Sequence, residues 1–232
     1  LANETSCIGA GARHGGRMAS DTDPVSPGPT PAGAAPAGAA PSGVAPADTA
    51  PPDAGSLYQA GLTHLARYAA TEAGLRRVLL RRVDRWARAQ ADPDTAARGV
   101  AAARAAVEAV ILRLAREGAV SDAAFAESRA KSLLRGGRST RSVQARLVAK
   151  GVAPDLARAA SASDAGTELA AALVLARKRR IGPFRLGDAA DAAVRLKEMG
   201  VLARSGFSRE IAQQALGMAR EEAESRIFAL RR

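Results

Sequence analysis

From Tyr58 onward, apolar residues recur at helical spacing. Tyr58, Leu62, Leu65 and Ala69 fall at i, i+4, i+7 and i+11, one stripe of a helix. Thr71 is placed to cap a second helix bearing Leu75, Val78 and Leu79. Val107, Val110, Ile111 and Leu114 form the clearest stripe in the chain, and Gly118 stops it. Ser121 opens a helix to about Leu134, closed by Gly136 and Gly137; Ser139 or Thr140 opens another, with Val143 and Leu147 turned inward. Leu169, Ala172, Leu173 and Ala176 mark a further helix, and Ile211, Ala215 and Met218 one more. No segment alternates with period two. The pattern predicts an all-α protein.

The helix ends repeat as well. A Leu, three residues and a Gly, followed by a polar or proline opening, occurs at Leu114 to Gly118, Leu147 to Gly151 and Leu202 to Gly206. Gly tolerates the left-handed conformation that ends a helix, and Ser or Asp accepts hydrogen bonds from the next helix's unpaired amides. This punctuation predicts three tandem three-helix repeats, over 57–118, 121–160 and 166–217, followed by a tail at 218–232. The second and third align: Val152 with Phe207, Asp155 with Glu210, Leu156 with Ile211. In the first, Leu79 and Arg82 match Leu147 and Lys150, but Val83 stands where Gly is expected, so that helix runs on through Trp86. Ala89 to Gly99, containing Asp92, Pro93 and Asp94, reads as an inserted loop.

Composition separates residues 1–56 from this array. Nine of the 12 prolines fall between Pro24 and Pro52, among Ala, Gly, Ser and Thr, and no aromatic residue precedes Tyr58. Such a segment buries too little to offset its ordering entropy and is expected to be a disordered arm. The chain opens with Leu, and Met18 followed by small residues is an alternative start, which would leave 1–17 untranslated. Cys7 is the single cysteine, so no disulfide framework or thiolate metal site is expected. Without a bilayer-length apolar run or a signal-peptide core, the expected compartment is the cytoplasm.

Charge changes the picture most. The whole chain is +11, yet the arm holds only two of the 34 Lys and Arg and five of the 23 Asp and Glu. The helical part is therefore strongly basic, which points to a polyanion or an acidic protein surface as partner. Chemistry is not expected. His14 lies in the arm, and His64 has no recognisable catalytic partner; Gly136 and Gly137 lack the strand and the Lys-Ser/Thr ending of a phosphate loop; Ser139 and Ser142 have no neighbouring base. No catalytic, cofactor or metal residues are assigned. Trp86, Phe125 and Phe207 are expected in the core, and so few aromatics argue against base stacking on a single strand.

The candidate working residues are cations. Arg135, Arg138 and Arg141 flank the Gly136 and Gly137 turn, with Lys131 on the preceding helix and Arg146 and Lys150 on the following one; Lys131 and Arg135 share a face with Glu127. Arg177, Lys178, Arg179 and Arg180 end one helix, and Arg76, Arg77, Arg81 and Arg82 make the first repeat basic. Guanidinium forks suit phosphates and carboxylates, so these groups can meet DNA phosphates or acidic side chains.

Gly118 through Ala126, with Ser121, Asp122 and Phe125; Arg135 through Ser139; Leu147, Lys150, Gly151 and Val152; and Ser205 through Ser208 with Ile211 together resemble the RecX family, in its order and at roughly its spacing. The family's usual acidic pair before the Phe is here Ser121 and Asp122, and the arm is extra. The resemblance implies three three-helix repeats in an elongated, curved array. It further implies a monomeric regulator, mainly an inhibitor, that lodges in the groove of the RecA–DNA filament and limits filament growth, ATP hydrolysis, strand exchange and co-protease activity in recombinational repair and the SOS response. The residues alone leave two other readings open: a basic helical protein acting on DNA directly, and a repeat adaptor for another acidic protein.

Overall fold

The computed structural model describes residues 50–187 and 191–232. Among the described residues the chain forms ten α-helices and a short 3-10 turn at Gly182–Phe184, with no strand: α1 (Ala54–Leu65), α2 (Glu72–Arg88), α3 (Pro93–Arg116), α4 (Asp122–Arg135), α5 (Thr140–Ala149), α6 (Pro154–Ser161), α7 (Ala165–Arg179), α8 (Ala192–Arg204), α9 (Arg209–Gly217) and α10 (Arg220–Arg231). Every helix except α6 and α10 starts with a side-chain cap: Asp53, Thr71, Asp92, Ser121, Ser139, Asp164, Asp191 and Ser208 each accept a first-turn amide. The three Leu-to-Gly stops close alike. The Leu114, Leu147 and Leu202 carbonyls accept from Val120 N–H, Val152 N–H and Phe207 N–H, and those three apolar side chains fold back into the cores.

The helices share cores in sequence order. Leu57 of α1, Leu75, Leu79 and Val83 of α2, and Val107, Ile111 and Leu114 of α3 form one cluster. Ala126, Ala130 and Leu134 of α4, Val143 and Leu147 of α5, Val152 of the following turn and Ala157 of α6 form a second and smaller one, with Phe125 half-buried against it. The third joins α7, α8 and α9 through Leu173, Leu202, Phe207 and Ala212, and α10 adds Ala223 and Ile227.

Neighbouring triplets are joined by one device used twice. The Thr71 hydroxyl, at the cap of α2, donates to the Lys150 carbonyl at the end of α5 (2.8 Å), while Asp122 of α4 accepts from the Glu72 amide (2.8 Å). One triplet later, the Ser139 hydroxyl at the cap of α5 donates to the Ser205 carbonyl at the end of α8 (2.7 Å), and Glu168 of α7 accepts from the Thr140 amide (3.0 Å). The middle helix of each later triplet thus ends on the start of the preceding middle helix. The Gly at that end lets the two backbones meet: a β-carbon on Gly151 would lie 2.4 Å from Ala73 Cβ, and one on Gly206 2.6 Å from Ser139 Oγ. The first triplet has no predecessor among the described residues, so α2 needs no such Gly and continues past Val83 to Arg88.

Three sequence expectations change. The inserted loop over 89–99 shrinks to Ala89–Asp92, because Asp92 caps α3 with Pro93 in its first turn. Gly99 is a helical residue under the buried Trp86 indole, where a β-carbon would come within 2.2 Å of the ring. The arm does not reach residue 56, since Asp53 starts α1 at Ala54. Finally, the tail from 218 contains α10, whose Ala223 and Ile227 are fully buried against α7. Met18, Cys7, His14 and the rest of the arm through residue 49 lie outside the described residues.

Candidate partner-binding surface

The first junction opens into a cleft of about 810 Å3. One wall is α2, presenting Arg77 and Arg81, with Lys150 at the end of α5; the other is α4, presenting Ser121, Ser128, Arg129 and Ser132. On α4 the apolar positions Ala126, Ala130 and Leu134 take the core side. Ser121, Phe125, Ser128 and Ser132, at i, i+4, i+7 and i+11, take the cleft side. Arg77 Nη2 reaches the Lys150 carbonyl at 3.4 Å, the same oxygen that accepts from Thr71. No carboxylate lines the cleft, and among the described residues Arg77, Arg81, Arg129 and Lys150 form no ion pair.

Two other α2 cations face elsewhere. Arg76 is bound to Glu108 of α3 at 2.8 Å, and Arg82 lines the groove between α1 and α2 beside Tyr68. At the next turn, Lys178 Nζ donates to the Gly136 carbonyl (2.7 Å) at the end of α4, so the basic end of α7 meets the turn carrying Arg135 and Arg138. Arg180, which ends α7, has φ of 55°, a left-handed conformation that costs a side-chain-bearing residue roughly 1–2 kcal/mol. Lys131, Arg135, Arg138, Arg141 and Arg146 are exposed, and among the described residues Glu127 pairs with none of them. The structure thus brings Arg77 and Arg81 to Lys150, and Lys178 to the Gly136 turn, but turns Arg76 and Arg82 away from the cleft.

Away from these surfaces, α1 is clamped to α3 by polar groups. The Tyr58 phenol donates to Glu117 (2.7 Å), Arg113 pairs with Glu117 (2.7 Å), and the Arg113 guanidinium lies 4.2 Å from the Tyr58 ring centre. The Tyr58 and Arg113 hydrogen bonds hold the Glu117 carboxyl below its ordinary range; the same Glu117 contact pushes the Tyr58 phenol up. Among the described residues, no group of three His, Cys, Asp or Glu side chains could hold a metal, and no helix is long and apolar enough to cross a membrane.

Comparison with known proteins fits this repeat architecture. Residues 121–160, which are α4 to α6, match the family profile described as RecX, second three-helix domain. The regulatory protein RecX of Myxococcus xanthus is 41% identical over 162 residues, spanning 69% of this chain and 83% of that protein. The chain belongs to the RecX family. The regulatory protein RecX of Agrobacterium fabrum is also 41% identical, over 106 residues that cover 46% of this chain and 56% of that one. The crystal structure of RecX from Lactobacillus salivarius shares the fold, with a TM-score of 0.53 at 17% identity over 75% of this chain and 97% of that one. These relatives place the chain among regulatory proteins with an all-helical repeat fold.

Within this RecX chain, the segment matching the family profile contains the whole α4 wall of the cleft and Lys150. Arg77, Arg81 and Lys150 are among the cations that the sequence marks as candidates, whereas Arg129, Ser128 and Ser132 are not. Their signal was present as a stripe of small polar residues beside an Ala-rich core stripe on α4. It acquires meaning only once α2 is seen to stand opposite.

Proposed function

We propose that this protein modulates the RecA recombinase, mainly as an inhibitor, by seating in the helical groove of the RecA–DNA filament. In that seat it limits filament growth, ATP hydrolysis, strand exchange and co-protease activity, and so moderates recombinational repair and the SOS response. It acts in the cytoplasm as a monomer and works by binding, without catalysis or cofactor.

The observation that carries this reading is the twice-used junction, Thr71 to Lys150 and Ser139 to Ser205, in a member of the RecX family. A filament offers the same surface once per protomer. An array whose successive triplets are joined in one geometry can offer matching basic surfaces to successive protomers. Each further contact is then intramolecular and gains from a high effective concentration. Arg135, Arg138 and Arg141 around the Gly136 turn, with Arg177, Lys178, Arg179 and Arg180 docked beside it, supply forks for RecA carboxylates or DNA phosphates. The uncompensated cations at Arg77, Arg81 and Lys150 supply a second such surface. Contacts to DNA are to phosphates, so they are weakly sequence-selective and salt-sensitive.

The test is RecA's single-strand-DNA-dependent ATP hydrolysis, titrated with the full chain at near-physiological salt. Inhibition well below the concentration at which the protein coats bare DNA is the expected result. Loss of hydrolysis only once the DNA is saturated would replace this reading with direct action on DNA.

A further inference from the structure

We infer that the cleft between α2 and α4 is a binding site for phosphate-rich anions, built to hold two or more neighbouring phosphate groups. The inference does not depend on action at RecA. Four cations, Arg77, Arg81, Arg129 and Lys150, converge on one concavity without a lining carboxylate or an ion-pair partner among the described residues. The neighbouring Arg76 shows what the alternative looks like, since its Nε is paired with the Glu108 carboxylate. All four are exposed, and like charges gathered on one concave surface repel one another, a repulsion that a bound anion relieves.

The two walls differ in a way that selects the ligand. Ser128 lies in the middle of α4 and Ser132 in its last turn, and among the described residues neither hydroxyl has a hydrogen-bond partner. They face the cleft as free donors beside Arg129, across from Arg77, Arg81 and Lys150. A carboxylate offers two oxygens in one plane and can be satisfied by one wall. A phosphate directs oxygens to both sides and can take guanidinium forks from α2 while accepting hydroxyls from α4. The caps of α2 and α4, Thr71 and Ser121, line the space together with the ends of α1, α3 and α5 at Leu65, Gly118 and Lys150, so helix ends of both signs meet there and the side-chain cations set its potential. Two carboxylates open these helices, Glu72 and Asp122; neither lines the cleft, and Asp122 accepts from the Glu72 amide. At about 810 Å3 the cleft lies within the range of small-molecule sites. Phosphates of this kind come from two sources: consecutive phosphodiesters of a single strand, or the free polyphosphate of a nucleotide.

Calorimetric titration of the full chain at physiological salt distinguishes the sources, using inorganic triphosphate, metal-free ATP, a short thymidine oligonucleotide and poly-glutamate. Two cleft variants are compared with wild type, Arg77→Glu with Arg129→Glu and Ser128→Ala with Ser132→Ala. A charge-matched control carries Arg195→Glu with Arg209→Glu on exposed positions of α8 and α9. Circular dichroism melts report folding, and the serine pair keeps the test decisive if charge reversal disturbs the fold. Triphosphate and ATP binding, lowered roughly tenfold or more by the arginine cleft pair and several-fold by the serine pair but not by the control, establishes a free-polyphosphate site. The same dependence for the oligonucleotide alone establishes a strand-backbone site. Absence of binding to any phosphate probe, equal losses in cleft and control variants, or poly-glutamate binding with the same cleft dependence overturns the inference. Phosphate binding by a chain that leaves RecA hydrolysis untouched would refute the proposed function and leave the site standing.

Discussion

Gly151 sits against Ala73 so closely that a β-carbon there would lie 2.4 Å from the Ala73 β-carbon, and its φ of 96° is one that L side chains rarely adopt. The glycine therefore ends α5 and, at the same atom, admits the start of α2 from the preceding triplet. Gly118 ends α3 with a similar positive φ of 71° but faces open space. This contrast separates a turn requirement from a docking requirement.

Gly118→Ala should cost about 1 kcal/mol, the conformational penalty alone. Gly151→Ala should cost roughly 2–4 kcal/mol, because the junction must also open. Urea unfolding midpoints of the two variants measure the difference, and equal losses would refute a docking role for Gly151.

Ser139 performs two tasks, capping α5 through the Ser142 amide and donating to the Ser205 carbonyl, while fully buried. Ser139→Ala should therefore destabilise by about 1–3 kcal/mol. Ser208, an exposed cap that accepts only from the Ile211 amide, should lose roughly 0.5–2 kcal/mol on the same change. Thermal melts of both variants under one condition rank them.

Charge reversal at the Gly136 turn, Arg138→Glu with Arg141→Glu, should raise the concentration needed to inhibit RecA hydrolysis by about tenfold, with an unchanged helical signal because both side chains are exposed. Arg76→Ala, which removes a partner of Glu108, should leave inhibition nearly unchanged. Unaltered inhibition by the turn variant at physiological salt removes that turn from the binding surface.

The clamp at Glu117 gives stability a definite pH dependence. Its folded carboxyl is held low first by the Tyr58 hydrogen bond and then by that of Arg113. The contribution is therefore complete above the ordinary glutamate range, near pH 4.3, and is lost as pH falls through the depressed folded value. Melting temperatures of wild type and Glu117→Gln should differ near neutrality and converge in acid. Parallel pH profiles would contradict the clamp.

Helix α10 closes the exposed side of α7 with Ala223 and Ile227. Ile227→Ala should cost about 2–5 kcal/mol, the range for a fully buried aliphatic side chain. A stability within 0.5 kcal/mol of wild type, the usual effect of a surface change, would mean that α10 is not part of the third core.

Much of this architecture was legible along the chain, because helix periodicity and caps are local properties. The Val107, Val110, Ile111 and Leu114 stripe, the cap residues Thr71, Ser121 and Ser139, and the Leu-to-Gly stops each act within one or two turns, so neighbouring residues suffice to read them. Excess positive charge, too, is a property of composition, and it points to an anionic partner without any geometry.

What tertiary structure alone decided was which of these local features meet. Gly99 read as a loop residue until the Trp86 ring was found above it, and the meaning of Val83 in place of Gly depends on there being no preceding triplet among the described residues for α2 to dock on. Glu108 removes Arg76 from the candidate surface, whereas Arg129, Ser128 and Ser132 enter it from a distant part of the chain. Sequence thus determined where helices begin, end and hide their apolar stripes, since those free energies are summed over adjacent residues. The cleft and the junctions arise from pairings across the chain, where charge, hydroxyls and the absence of a side chain act through space.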